Sequence, residues 1–112
     1  MNQVPLDQLS FATFKELLKT RFRVEVSPAT TVELELIEAE FTGEAAKDKS
    51  NAPMYQNFSL NFAGPAAPPL MQRTYLFEHD KIGAFDLFIV PMAAEGGTIR
   101  YQAVFNRLLP PK

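Results

Sequence analysis

Hydrophobic and polar positions alternate along most of this chain, and the period of the alternation changes once. In SFATFKELLKT, residues 10–20, Phe11, Phe14, Leu17 and Leu18 recur at spacings of three and four. That period predicts a helix over about 10–20 with one aromatic-aliphatic stripe. Ser10 is a natural N-cap, although Thr13 and Glu16 also have capping-box spacing. Lys19 and Arg21 sit where cations suit the helix dipole. So short a helix is marginal alone, so its stripe must be buried against something else.

From Arg21 the period is two. Phe22, Val24 and Val26 alternate with charged residues, predicting a strand over 21–26 that stops at Ser27-Pro28. Residues 32–41, VELELIEAEF, predict a second strand whose phase slips. Val32, Leu34 and Leu36 share one parity, whereas Ile37, Ala39 and Phe41 share the other. One inserted residue near Leu36-Ile37 restores the pattern, so a β-bulge is expected there, with a short helical turn as the alternative. Residues 42–54 are small, polar and aperiodic, and read as a mobile loop. Further strands are expected over 55–63, 73–79, 84–91 and 98–106, with Asp80–Gly83 and Glu95-Gly96-Gly97 as the last two turns. GPAAPPL, residues 64–70, reads as a stiff extended connection, and the tail RLLPPK as frayed or weakly docked.

The stretch from Leu70 to Asn106 organises the rest. Strand 84–91 is apolar on both faces, with Phe85, Leu87 and Ile89 on one and Phe88 and Val90 on the other. Such a strand needs two covers. The first is the opposing wall of the sheet; the second is expected to be the N-terminal helix. In the competing reading, Leu76, Phe88, Val90 and Val104 meet another molecule. The fold class that follows is α+β and mainly β. A single N-terminal helix packs on about six antiparallel strands, over one opening of a strongly curved sheet or partly open barrel, in one domain over 1–112.

Composition narrows the function classes. The net charge of −2 and pI of about 5.4 supply no field to gather nucleic acid or an anionic membrane. With no cysteine, disulfides and thiolate chemistry are out. The N-terminus has no basic region followed by an apolar core, and no apolar run approaches the roughly 20 residues of a spanning helix. A cytoplasmic location is the expectation, with incorporation into an extracellular particle left open.

Candidate chemistry is sparse. His79, beside Asp80, is the one group that titrates near neutrality unperturbed. It could serve as a base or one ligand of a metal site, but no second histidine accompanies it, and a hydrogen-bonded structural role beside the turn is preferred. The four serines include none in a G-x-S-x-G turn, and the glycines form no phosphate loop. Glu33, Glu35, Glu38 and Glu40 read as a solvated strand face rather than a cation site. Pro65-Ala66-Ala67-Pro68 matches P-x-x-P without a basic flank and reads as a rigid loop. Asn57, Ser59 and Asn61, with nearby Tyr55 and Gln56, form an uncharged outward row able to bind a sugar, a peptide edge or another subunit. No catalytic residue, metal or cofactor is expected. The candidate ligand-binding residues are Tyr55, Asn57, Ser59, Asn61 and His79.

FSLNF with GP, the spacing of Gln72, Tyr75, His79 and Gly83, then LFIVP and YQAVFN form an ordered set. Over roughly Phe11 to Asn106 the chain resembles a small bacterial domain family of unknown function. That family's pattern runs FSL-x-F, GP, Q-x-x-Y, H-x-x-x-G, FLVP and Y-x-x-VFN. Asn61, Ala63 and Arg73 depart from it, standing where leucine, arginine and glycine are usual. The resemblance implies no activity. It does imply an association of some members with phage-tail-like or surface-fibre proteins. The expected function is therefore a non-enzymatic binding or assembly module, its partner a protein that could be a further copy of the chain. The alternative is a small-ligand or enzymatic barrel centred on His79, with Tyr75 and Tyr101 at its mouth.

Overall fold

The computed structural model describes residues 9–45, 55–67 and 69–108. Six strands follow one short helix: α1 (Phe11–Lys15), β1 (Arg21–Ser27), β2 (Thr30–Ala45), β3 (Tyr55–Pro65), β4 (Arg73–His79), β5 (Gly83–Glu95) and β6 (Thr98–Leu108). They form a closed antiparallel barrel in the order β1-β2-β3-β6-β5-β4. Closure is made by a short ladder between β1 and β4, with Arg23 opposite Glu78, Val24 opposite Phe77 and Glu25 opposite Leu76. The mainly-β reading holds, and the barrel is shut rather than partly open.

The expected slip in β2 is a bulge. Leu36 faces Phe62 and Glu38 faces Asn61, so Ile37 is the extra residue and returns Ala39 and Phe41 to the inward parity, opposite Leu60 and Phe58. A second shift falls between Phe41 and Gly43. Residues 42–45 thus continue β2 instead of starting a loop, because β3 supplies partners as far as Tyr55 opposite Ala45. The remainder of the expected mobile loop, 46–54, lies outside the described residues, as do 109–112 of the tail. β5 runs on to Glu95, zipped by the Gly96-Gly97 hairpin, where φ of 58° and 85° suits residues without a Cβ, and β6 runs on to Leu108 because β3 pairs with it there.

The helix is much shorter than the 10–20 its periodicity predicts. Ser10 caps it, accepting from Thr13 N–H at 3.1 Å. Beyond Glu16 the bonds tighten to Leu17 N–H on Phe14 O and Thr20 N–H on Leu17 O. Lys19 then takes φ 69°, and its N–H donates to Leu36 O at 2.7 Å while Leu36 N–H donates to Thr20 O. The sheet captures the backbone before the helix can continue. Phe14 and Leu17 are still buried.

The helix sits over one opening of the barrel, as expected, but does not also cover the second apolar face of β5. Phe14 enters the barrel mouth and meets Phe58, Phe85 and Phe105 at 5.6–6.3 Å, while Phe11 packs on Phe41 and Phe58. The outer apolar face is left bare, with Phe88 50% and Val104 70% exposed. A mouth ringed by phenylalanine offers Phe14 complete burial, which the flat outer wall could not. The opposite mouth is closed by the connection after β3, through Leu70, only 3% exposed. Inward Gly64 lets β2 close in here, since a Cβ on it would collide with Leu34 Cδ2.

Candidate functional site

His79 ends β4 beneath the α1 side of the barrel, 6% exposed, its ring 4.5 Å from that of Phe22. Lys81 N–H donates to Nδ1 at 3.0 Å, which assigns the proton of the neutral ring to Nε2. Nε2 then donates to Thr20 Oγ1 at 2.9 Å, and Thr20 donates onward to Leu17 O. Both ring nitrogens are engaged, and the histidine ties the β4–β5 turn to the end of α1. Burial pushes its pKa below the ordinary value, opposed by Asp80 and reinforced by Arg23 and Lys81. Arg23 is itself held by Glu78 at 3.1 Å and Asp80 at 2.9 Å.

This shift gives a testable pH dependence. The neutral ring belongs to the fold, whereas the unfolded chain binds a proton below about 6.5. Stability contributed by His79 is therefore whole above that pH and is lost as pH falls towards the folded pKa. In His79→Asn, Oδ1 can still accept from Lys81 N–H, and the titrating group is gone. Urea midpoints of the parent should fall relative to the variant below pH 6.5, with a slope of at most about 1.4 kcal/mol per pH unit. Parallel curves from pH 7 to 5 would refute the assignment.

Tyr75 and Tyr101 share the other mouth, away from His79. The Tyr101 hydroxyl accepts from Leu70 N–H at 2.9 Å, and the Tyr75 hydroxyl donates to Met71 O at 2.8 Å. The expected trio of His79, Tyr75 and Tyr101 is thus split between two ends, and each member holds a piece of backbone. Thr20 as the partner of His79 had no signal in the sequence, because 59 residues separate them.

The β3 row points outward as expected but is not open. Ser59 and Asn61 are only 6% and 9% exposed. Short side chains on this central strand sit between longer ones: Ser59 between Glu40 and Val104, Asn61 between Glu38 and Gln102. Asn61 Nδ2 donates to Glu38 Oε1 at 2.9 Å. Asn57 Oδ1 is buried without a hydrogen-bond partner among the described residues. For Tyr55 the structure gives only its place in β3, opposite Ala45 and Leu108. The glutamates line the same outer wall, Glu33 pairing with Arg21 at 3.3 Å. Open clefts of about 490 Å³ beside Arg21, Glu33, Glu35 and Gly64, and about 200 Å³ beside Ile37, Glu95 and Arg100, flank Ala63. Among the described residues no cluster of three acidic, histidine or cysteine side chains could hold a metal, and no helix is long and apolar enough to cross a membrane.

Apart from Asn57 Oδ1, what remains uncovered is apolar and outside. On the outer wall of β4, β5 and β6, Thr74 faces Phe88 and Val90 faces Gln102, which sets Phe88 and Val104 next in line across β5 and β6. Leu76 and Val90 complete the patch, half-buried. This chain belongs to the family described as domain of unknown function DUF6916, whose model matches residues 9–105. That range agrees with the family resemblance drawn from the FSL-x-F to VFN motifs. No curated protein and no solved structure matches the chain.

Proposed function

We propose that this member of the family is a non-enzymatic binding or assembly module that works through the outer wall of β4, β5 and β6. One observation carries the reading: Phe88 and Val104 lie 50% and 70% exposed on a wall whose inner side is fully packed. Burying a phenylalanine and a valine is worth roughly 1.5–3 kcal/mol each, which makes such a patch a natural docking centre. Residues that could do chemistry are instead spent on architecture, His79 on Thr20 and Lys81, Tyr101 on Leu70. The association of some members of the resembled family with phage-tail-like or surface-fibre proteins supports an assembly of that kind.

The test is a photo-crosslinking residue at position 88, introduced into the protein in its native host. Position 88 should capture a protein partner, while a control at Thr31 on the opposite wall should not. Phe88→Ser with Val104→Thr should abolish that capture and leave the melting temperature nearly unchanged, as surface substitutions usually stay within about 0.5 kcal/mol. Equal cross-linking at 31 and 88, or none at 88, would count against the reading.

A further inference from the structure

We propose that the second half of β5 is an open edge through which two copies of this chain pair. The pairing is antiparallel about a two-fold axis and sets Glu95 of each copy against Arg73 of the other. The proposal rests on the binding-module reading above and names the partner.

The edge follows from strand lengths. β4 begins at Arg73, opposite Ile89, whereas β5 continues to Glu95. From Val90 to Glu95, β5 has β6 on one side and, among the described residues, no strand on the other. All of Pro91, Met92, Ala93, Ala94 and Glu95 are exposed, and four of the five are apolar. A strand edge with apolar side chains and open backbone groups is a template for another strand.

The charges select a second copy as that strand. Arg73 stands at one end of the open edge and Glu95 at the other. Arg73 lies over the Tyr75 ring and donates to Val26 O, which leaves its charge without a carboxylate among the described residues. Glu95 likewise has no ion-pair partner among them. Two antiparallel copies of a segment with unlike ends bring those ends together twice. In the register centred between Met92 and Ala93, Val90 faces Glu95 of the other copy, one residue from where Arg73 begins β4. The contact uses the same edge on both sides, so it closes at two and does not propagate.

Pro91 and the bulge at Met92 fit this arrangement. Proline without an N–H, and a bulge, are devices that blunt indiscriminate pairing at an edge. In the two-fold register Pro91 faces Ala94 of the other copy and flanks the central Met92–Ala93 pairs. Few strand bonds are then made, and the ion pairs decide the partner. The outer patch, which shares Val90 with this edge, becomes continuous across both copies.

Sedimentation velocity of the full chain from micromolar to millimolar concentration tests the proposal. The parent should dimerise, and Glu95→Arg and Arg73→Glu should each weaken dimerisation by about tenfold or more through like charges. Mixing the two variants should restore it, because each heterodimer carries one native and one reversed pair. At concentrations where the parent is monomeric, Glu95→Arg should melt with the parent and Arg73→Glu slightly below it, having lost the bond to Val26 O and the stack on Tyr75. A parent that stays monomeric throughout, or a mixture no tighter than the single variants, overturns the proposal. Cross-linking at position 88 to a different protein in the monomeric case would leave the binding-module reading standing and remove this one alone.

Discussion

Phe14→Ala should cost about 3–5 kcal/mol, the usual range for truncating a fully buried phenylalanine. The side chain is 0% exposed and touches the rings of Phe58, Phe85 and Phe105, which belong to three different strands. The ladder between β5 and β6 runs only from Val90–Gln102 to Glu95–Thr98, while the far half of β6 pairs with β3. At that end the wall is held across β5 and β6 by side chains, with Phe14 between Phe85 and Phe105. Removing it leaves a cavity at the junction the backbone secures least. Guanidinium unfolding should show the midpoint falling with little change in slope. Phe11→Ala, at a half-buried ring on the rim, should cost distinctly less. Equal losses for the two variants would mean the helix packs as a whole and Phe14 has no special place in the mouth.

Tyr101→Phe should cost about 1–3 kcal/mol although it removes a single oxygen. The hydroxyl is the acceptor for Leu70 N–H, in a site where Tyr101 is 0% and Leu70 3% exposed. The amide would be stranded in the core, and the loss is its desolvation penalty rather than the net value of one hydrogen bond. Tyr75→Phe is the matched control. Its hydroxyl donates to the carbonyl of Met71, a residue 76% exposed, so water can replace the lost donor and the cost should stay near or below about 1 kcal/mol. If the two variants melt together, Leu70 is not held in the mouth by that bond.

Both substitutions probe plugs, and the plugs show how far the sequence could be read. Period-two alternation is local, so it grouped Phe22 with Val24 and Phe85 with Leu87 and Ile89, all of them buried, and turned Asn57, Ser59 and Asn61 to the outer side of β3. It even located the bulge at Ile37, because a register slip must reverse every later side chain of the strand. The glycine turns were legible for the same reason. The helix was misjudged in length because Leu17 and Leu18 keep helical spacing while Leu36, seventeen residues from Lys19, takes its N–H. Its place over one opening was legible, but two-faced β5 also suggested a cover for its outer side, which the helix does not give because Phe14 is buried in the mouth.

The candidate site divides in the same way. That His79 serves structure was foreseeable from its isolation beside a turn; that Thr20 receives its proton was not. The outward parity of Asn57, Ser59 and Asn61 was legible, but their burial depends on Glu38, Glu40, Gln102 and Val104, brought alongside by strand pairing.

By itself, then, the sequence determined which side of each strand is apolar, where the strands turn, and which chemistries lack residues. Tertiary structure decided that six strands close, that Phe14 and Leu70 stop the two mouths, and that Phe88, Val104 and the edge from Val90 to Glu95 are left uncovered. The physical reason is that parity follows from the backbone of neighbouring residues, whereas closure and cover depend on contacts between segments far apart in the chain. Those contacts are settled by competition for burial, which no local pattern records.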